Sequence, residues 1–253
     1  MKLLFCYTAV AALALTTSLS CAPTAKAPAT KVEPMLLGVH PRADLKQPPY
    51  RHWFDSGYAA YQPKRALLPQ LTSALAGCTF RIFMGTWCGD SRREVPRMLK
   101  ILDSCGVSPS RIQIIMVDYR GAAYKQSPGH EERGQGIVHV PDLIVLSNGR
   151  EVGRIVESPV TSLEEDLIRI TGGQAYVPQY GGAWWLLKQF QVPAESALKD
   201  SLRGKVKDAY ELLTLGYTLR LAGDTDRALL CFRLDTALYP GNPQALEFLS
   251  GKR

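Results

Sequence analysis

FMGTWCGDSRREVP, residues 83–96, places a single cysteine, Cys88, between an apolar run and a charged segment. TFRIFMGT, residues 79–86, is short and β-prone and closes on a glycine, whereas SRREVPRMLKILDSCG, residues 91–106, carries Val95, Met98, Leu99 and Leu102 at helical spacing. The order is strand, turn, helix. A cysteine at the start of such a helix faces unsatisfied backbone N–H groups and the positive end of the macrodipole, both of which favour thiolate over thiol. Cys88 is therefore expected to be reactive. Arg92, Arg93 and Arg97 add positive charge nearby while Asp90 and Glu94 oppose it, so the helix terminus carries that expectation.

Working outward, RIQIIMVDY, residues 111–119, is a second run of strand length, and residues 120–136 are polar and Gly-rich with no period. DLIVLS, residues 142–147, and REVGRIVE, residues 150–157, flank Asn148-Gly149, a strong hairpin signal, and are expected to pair antiparallel. Ser162 and Glu165 fit a capping box that opens the helix LEEDLIRI, which Gly172-Gly173 ends. Leu67, Leu68, Leu71 and Leu75 predict an earlier helix, stopped by Gly77. The fold class is α/β, a mixed sheet with flanking helices.

Residues 79–171 resemble the thioredoxin fold. FMGTWCGDS ends the strand and opens the helix, Pro96 stands eight residues beyond Cys88, and Val140-Pro141 precedes the hairpin in the place of the family's cis-proline. Within the superfamily, the stretch is most similar to exported bacterial thioredoxin-like proteins with a CGDS motif. Two departures bear on chemistry: Ser91 replaces the resolving cysteine, and Ile82 stands where dithiol members keep a buried acid. In the dithiol reaction the second thiolate expels the product from the mixed disulfide, which a serine cannot do. The resemblance therefore implies a monothiol that exchanges or isomerises disulfides through Cys88, completed by an external thiol.

The alternative is a redox-silent thioredoxin-fold module that binds or scaffolds. The catalytic residues expected are Cys88 and Ser91, whose hydroxyl could donate to the thiolate; Trp87, Gly89, Asp90, Val140 and Pro141 are expected to bind substrate. Protein thiols or disulfides are the expected partners. No cofactor or metal is expected: Cys88-Gly89-Asp90-Ser91 differs at one position from the motif of cluster-binding monothiol glutaredoxins, and an acid there together with an exported address opposes a cluster. Peroxidase chemistry would want a threonine three residues before the cysteine, and Thr86 is two before it.

A second resemblance lies at the other end. AYELLTLGYTLRLAGDTDRALLCFRLDTALYPGNP, residues 209–243, resembles one tetratricopeptide repeat, with Leu215-Gly216, Gly223, Ala228, Phe232 and Pro240 on its consensus offsets. It implies a C-terminal α-helical hairpin. A lone repeat leaves an apolar face open, so docking on the preceding domain is expected.

Residues 1–21 combine Lys2, the apolar run LLFCYTAVAALAL and TTSLSC, as in a secretory signal; thirteen apolar-run residues are too few for a spanning helix, which takes about 20. Ser18–Cys21 resembles a lipobox, implying lipid on Cys21, an exported protein of the periplasm or cell envelope, and a membrane contact through that lipid. The expected segments are signal 1–21, tether 22–48, thioredoxin-like domain 49–173, helical linker 174–204 and hairpin 205–253. With Cys6 removed and Cys21 lipidated, Cys78, Cys88, Cys105 and Cys231 remain in a disulfide-permissive compartment. A Cys78–Cys105 bridge and two buried free thiols are both open. The net charge of +7 is scattered without a Lys/Arg block, so no nucleic-acid partner is expected.

Overall fold

Alternation along Cys78–Met84 (β2) sends Phe80, Ile82 and Met84 to one face and Phe83 to the other, and all four are buried. β2 is the centre of the sheet. In the computed structural model, which describes residues 34–189 and 194–251, Ile112–Met116 (β3) pairs with β2 in parallel, and Asp142–Ser147 (β4) pairs with it antiparallel. Gly38–His40 (β1) lies antiparallel on β3 and Arg150–Val156 (β5) antiparallel on β4, giving a mixed five-stranded sheet in the order β1-β3-β2-β4-β5. Asn148 and Gly149 both take positive φ in the β4–β5 turn, as a tight hairpin requires. The whole is α/β with flanking helices, an arrangement compatible with the fold expected from sequence.

Arg42–Leu45 (α1), Arg51–Ala60 (α2), Leu68–Ala74 (α3), Gly89–Ser104 (α4) and Leu163–Thr171 (α5) all send side chains into one core with the Ile82 face of the sheet. Pro96 lies inside α4, and a Cβ on Gly57 would come within 3.3 Å of its ring, so the glycine sets how closely α2 approaches α4. Ser162 caps α5: its Oγ accepts from the Glu165 N–H and donates to the Glu165 carboxylate at 2.7 Å.

The Phe83 face carries a second cluster, Phe83, Ile115 and Ile144, closed by Val117, Ile137 and Val140 from the β3–β4 connection. That connection holds short turns, one 3-10 turn at Gly121–Ala123 and an isolated bridge between Asp118 and Tyr124.

Residues 34–48 belong to the stretch assigned to a tether, and here they form β1 and α1, with Leu45 fully buried. The proposed signal, Cys21 and the tether as far as residue 33 lie outside the described residues. Residues 174–204 contain Gly181–Leu187 (α6) and Glu195–Leu202 (α7). Residues 205–251 contain three helices instead of two, Glu211–Leu221 (α8), Thr225–Leu238 (α9) and Pro243–Leu249 (α10). α6 to α9 share a core with Val138 and Val156, which seats them on the sheet domain. A Cβ on Gly216 would lie 2.5 Å from the Phe232 ring, so α8 and α9 meet there at glycine distance. Trp184 on α6 is half-buried: its Nε1 donates to Glu151 at 2.9 Å and Lys188 covers its ring.

Candidate functional site

Cys88 is the N-cap of α4, with extended backbone and its carbonyl already accepting from the Arg92 N–H at 3.0 Å. Its side chain is half-buried against the Phe83 cluster, and Sγ donates to the Val140 carbonyl at 3.3 Å. The Val140–Pro141 peptide is cis. Sequence residues 52 apart are thus brought together at the end of the central strand.

Trp87 is fixed from three sides. Its Nε1 donates to the Val117 carbonyl at 2.8 Å, its ring tilts against Tyr119 with centroids 5.4 Å apart, and it lies over Gly85, where a Cβ would come within 2.4 Å of the indole. Gly89 is exposed beside the thiol. Asp90 pairs with Arg93 at 2.7 Å on the outer surface of α4.

Two expectations change. Ser91 is fully buried and its Oγ accepts from the Gly85 N–H at 3.2 Å; among the described residues it has no hydrogen bond to Cys88, because the hydroxyl is turned into the strand-to-helix corner that it braces. Val140 and Pro141 are both buried, Val140 within the Phe83 cluster, so their side chains are not an open groove wall. What the site presents to solvent is Trp87, Cys88, Gly89 and the Arg93-paired Asp90.

The remaining described thiols are Cys78 at the start of β2, Cys105 at the end of α4 and Cys231 inside α9, all free and all buried. Burial pushes each of the three thiols up. The open choice at Cys78 and Cys105 falls to two free thiols.

The connection after β3 contributes groups that periodicity did not single out. Lys125 is buried, with φ of +56°, and its Nζ donates to the Val138 carbonyl. Burial holds its amine down to about 7, against the pull of Cys88, Glu157 and Asp142. Asp142, the first residue of β4, is fully buried and accepts from Arg154 at 2.9 Å; Arg154 in turn holds Glu151 at 2.7 Å. Burial pushes the Asp142 carboxyl up to about 7 against the guanidinium. Burial opposes the charge of Arg154, but the two carboxylates outweigh it and the guanidinium is raised. A signal for this pair existed: Asp142 and Arg154 are charged residues within apolar runs that the Asn-Gly turn brings together as diagonal neighbours, Asp142 opposite Val156 and Arg154 opposite Ile144.

His139 stacks on Tyr180 with centroids 3.7 Å apart and faces Glu157 at 3.5 Å. Glu157 also accepts from Tyr180 at 2.8 Å, and the hydrogen bond from His139, followed by that from Tyr180, holds its carboxyl down at about 2. Among the described residues no three His, Cys, Asp or Glu side chains gather to hold a metal ion, and no helix is long and apolar enough to cross a membrane.

A cavity of about 760 Å³ opens beside this site, between the connection and the C-terminal helices, lined by Tyr119, Tyr124, Tyr210, Tyr217, Arg220 and Phe248 among others. Tyr217 on α8 spans its floor, donating to the Gly121 carbonyl at 3.1 Å and meeting Tyr124 at 5.5 Å. Compared with models of protein families, with curated proteins and with solved structures, the chain matches none.

Proposed function

We propose that this is an exported monothiol thioredoxin-like protein that exchanges or isomerises protein disulfides through Cys88. The observation that carries the reading is the position of Cys88: a half-buried sulfur at the N-cap of a sixteen-residue helix, next to the exposed Gly89 and the anchored Trp87. The thiolate attacks a substrate disulfide, forming a Cys88–substrate S–S bond and releasing the other sulfur as thiolate. A second thiolate from outside the protein then attacks that bond and frees Cys88 with its electron pair. An external thiol is called for because the other described thiols, Cys78, Cys105 and Cys231, are buried elsewhere in the fold. The apolar Ile82 and the engaged Ser91 agree with a site that has no internal resolving step.

The test is to incubate the purified chain with disulfide-bonded protein substrates, quench with acid and map adducts by mass. A mixed disulfide on Cys88 that disappears when glutathione is added supports the reading. A Cys88 that is alkylated readily and yet never forms an adduct sinks it.

The Tyr-lined cavity favours a second reading, a binding module in which the tetratricopeptide-like helices hold a polypeptide and Cys88 is silent. Retention of an unlabelled polypeptide by a Cys88→Ser chain as well as by the native one would select it. Lipid on Cys21 and attachment to the cell envelope complete the proposal; mass measurement of the N-terminal peptide from a membrane fraction checks both.

A further inference from the structure

Lys125 is costly in two respects. Its backbone is left-handed, a conformation disfavoured for a residue with a long side chain, and its side chain is removed from water with only 3% of the residue exposed. The turn that imposes this is closed by the Lys125 N–H on the Asp118 carbonyl at 2.7 Å and the Asp118 N–H on the Gln126 carbonyl at 2.9 Å. Its effect is to point the amine at Val138, two residues from the carbonyl that holds Cys88 Sγ. Amine and thiol hang on the same three-residue segment.

That carbonyl suits a thiol and not a thiolate. Once the Cys88 proton leaves, two electron-rich atoms face each other across 3.3 Å, and a cation close by offsets that repulsion in addition to the α4 N-terminus. The ionisable groups around the Lys125 amine are Cys88 from the start of α4, Glu157 just past β5, Asp142 from the start of β4, His139 between the two carbonyls, and Tyr124, whose ring centroid is 5.0 Å from Nζ. Asp142 already has Arg154, and Glu157 has Tyr180 and His139. Among the described residues, Cys88 has no hydrogen bond or ion pair to a cation, and it exerts the largest of the charge effects that pull the Lys125 amine back up.

We propose that Lys125 is the counter-ion of the Cys88 thiolate, the proton lost from sulfur being matched by one gained at the amine. Thiol and neutral amine become thiolate and ammonium, with no change in net charge and no co-reactant. Lys125 is a positioning residue: it acts through the sulfur and touches no substrate. The inference deepens the reading of Cys88 as a nucleophile, and its test does not require that exchange occur.

The experiment follows alkylation of Cys88 by iodoacetamide against pH in the full chain, quantified on the Cys88 peptide, for the native protein, Lys125→Met and Lys125→Gln. Gln keeps a donor for Val138 without a charge. The expected result is that both variants move the midpoint of the profile upward by about one pH unit and slow labelling below it by about tenfold, Gln no less than Met. A native profile in both variants, or restoration by Gln alone, overturns the proposal, the latter because it makes Lys125 a structural donor. Should the variants fail to fold, the reciprocal measurement decides: in Cys88→Ser the nitrogen NMR titration of Lys125 is expected to move to lower pH, and an unmoved titration overturns the pairing. Iodoacetamide needs no disulfide partner, so shifted profiles without mixed disulfides leave the ion pair standing while the exchange reading falls.

Discussion

Trp87 donates its indole N–H to the carbonyl of Val117, so the residue before Cys88 is bonded to the point where the chain leaves the sheet for the β3–β4 connection. The bond joins the two halves of the site. One half is the α4 N-terminus with Cys88; the other is the turn that buries Lys125 and presents Tyr119 and Tyr124 to the cavity.

Removing that bond is expected to loosen the connection more than the core. Trp87→Phe leaves the Val117 carbonyl without its donor, a loss of about 1 kcal/mol, and amide exchange over residues 118–126 should quicken while β2 and β4 stay protected. Gly85→Ala should do more, because the added methyl must displace the indole that lies 2.4 Å away. Equal exchange in all three proteins would show that the connection is held by other contacts.

Breaking the buried Asp142–Arg154 pair from one side should be severe. Arg154→Met strands a carboxylate that is fully buried and also abandons Glu151, at an expected cost of about 3–5 kcal/mol in urea unfolding. Asp142→Leu combined with Arg154→Met removes both charges and should recover most of that loss. A single variant as stable as the native chain would mean that water reaches the pair.

Glu157 makes acid stability legible. Its carboxyl is held down, from the ordinary 4.5 to about 2, first by the His139 hydrogen bond and then by Tyr180. A carboxyl depressed in the folded state stabilises fully above its unfolded value, and the contribution is lost as pH falls from about 4.5 toward 2. The native chain should therefore exceed Glu157→Gln in urea midpoint at pH 6, and the two curves should converge near pH 2. Parallel curves would remove Glu157 from the list of acid-sensitive groups.

The parts of the fold that could be seen in the sequence are those with a short-range cause. The β-prone run in residues 79–86, helical spacing after Cys88, the Asn148-Gly149 turn and the Ser162 cap each rest on neighbours within a few residues, and each is present. β1 was not visible: three residues have no period, and they become a strand only because β3 offers an edge that is 74 positions away even at the nearest pair, His40 against Ile114. α10 lay beyond the reach of a two-helix repeat pattern. Within the site, Cys88 and Trp87 stand where the motif placed them. Lys125 was hidden because a lysine in a polar loop is ordinarily solvated, and nothing local announces that a left-handed turn will send it inward. The burial of Ser91 was hidden for a related reason, since helix geometry gives its spacing from Cys88 but not the pull of the Gly85 N–H.

The entering chain at Pro34 to His40 has a mechanical meaning. Tyr50 grips the Pro34 carbonyl at 2.7 Å, and the Leu36 N–H rests on Thr86 Oγ1 at 3.3 Å, two residues before Cys88. The Thr86 carbonyl, in turn, accepts from Arg92 on the first turn of α4 at 2.6 Å. Tension applied upstream of Pro34 is therefore borne by the Tyr50 and Thr86 bonds and the three β1–β3 residue pairs before it reaches any other strand. A load on this end of the protein pulls on the corner that holds its only partly accessible described thiol.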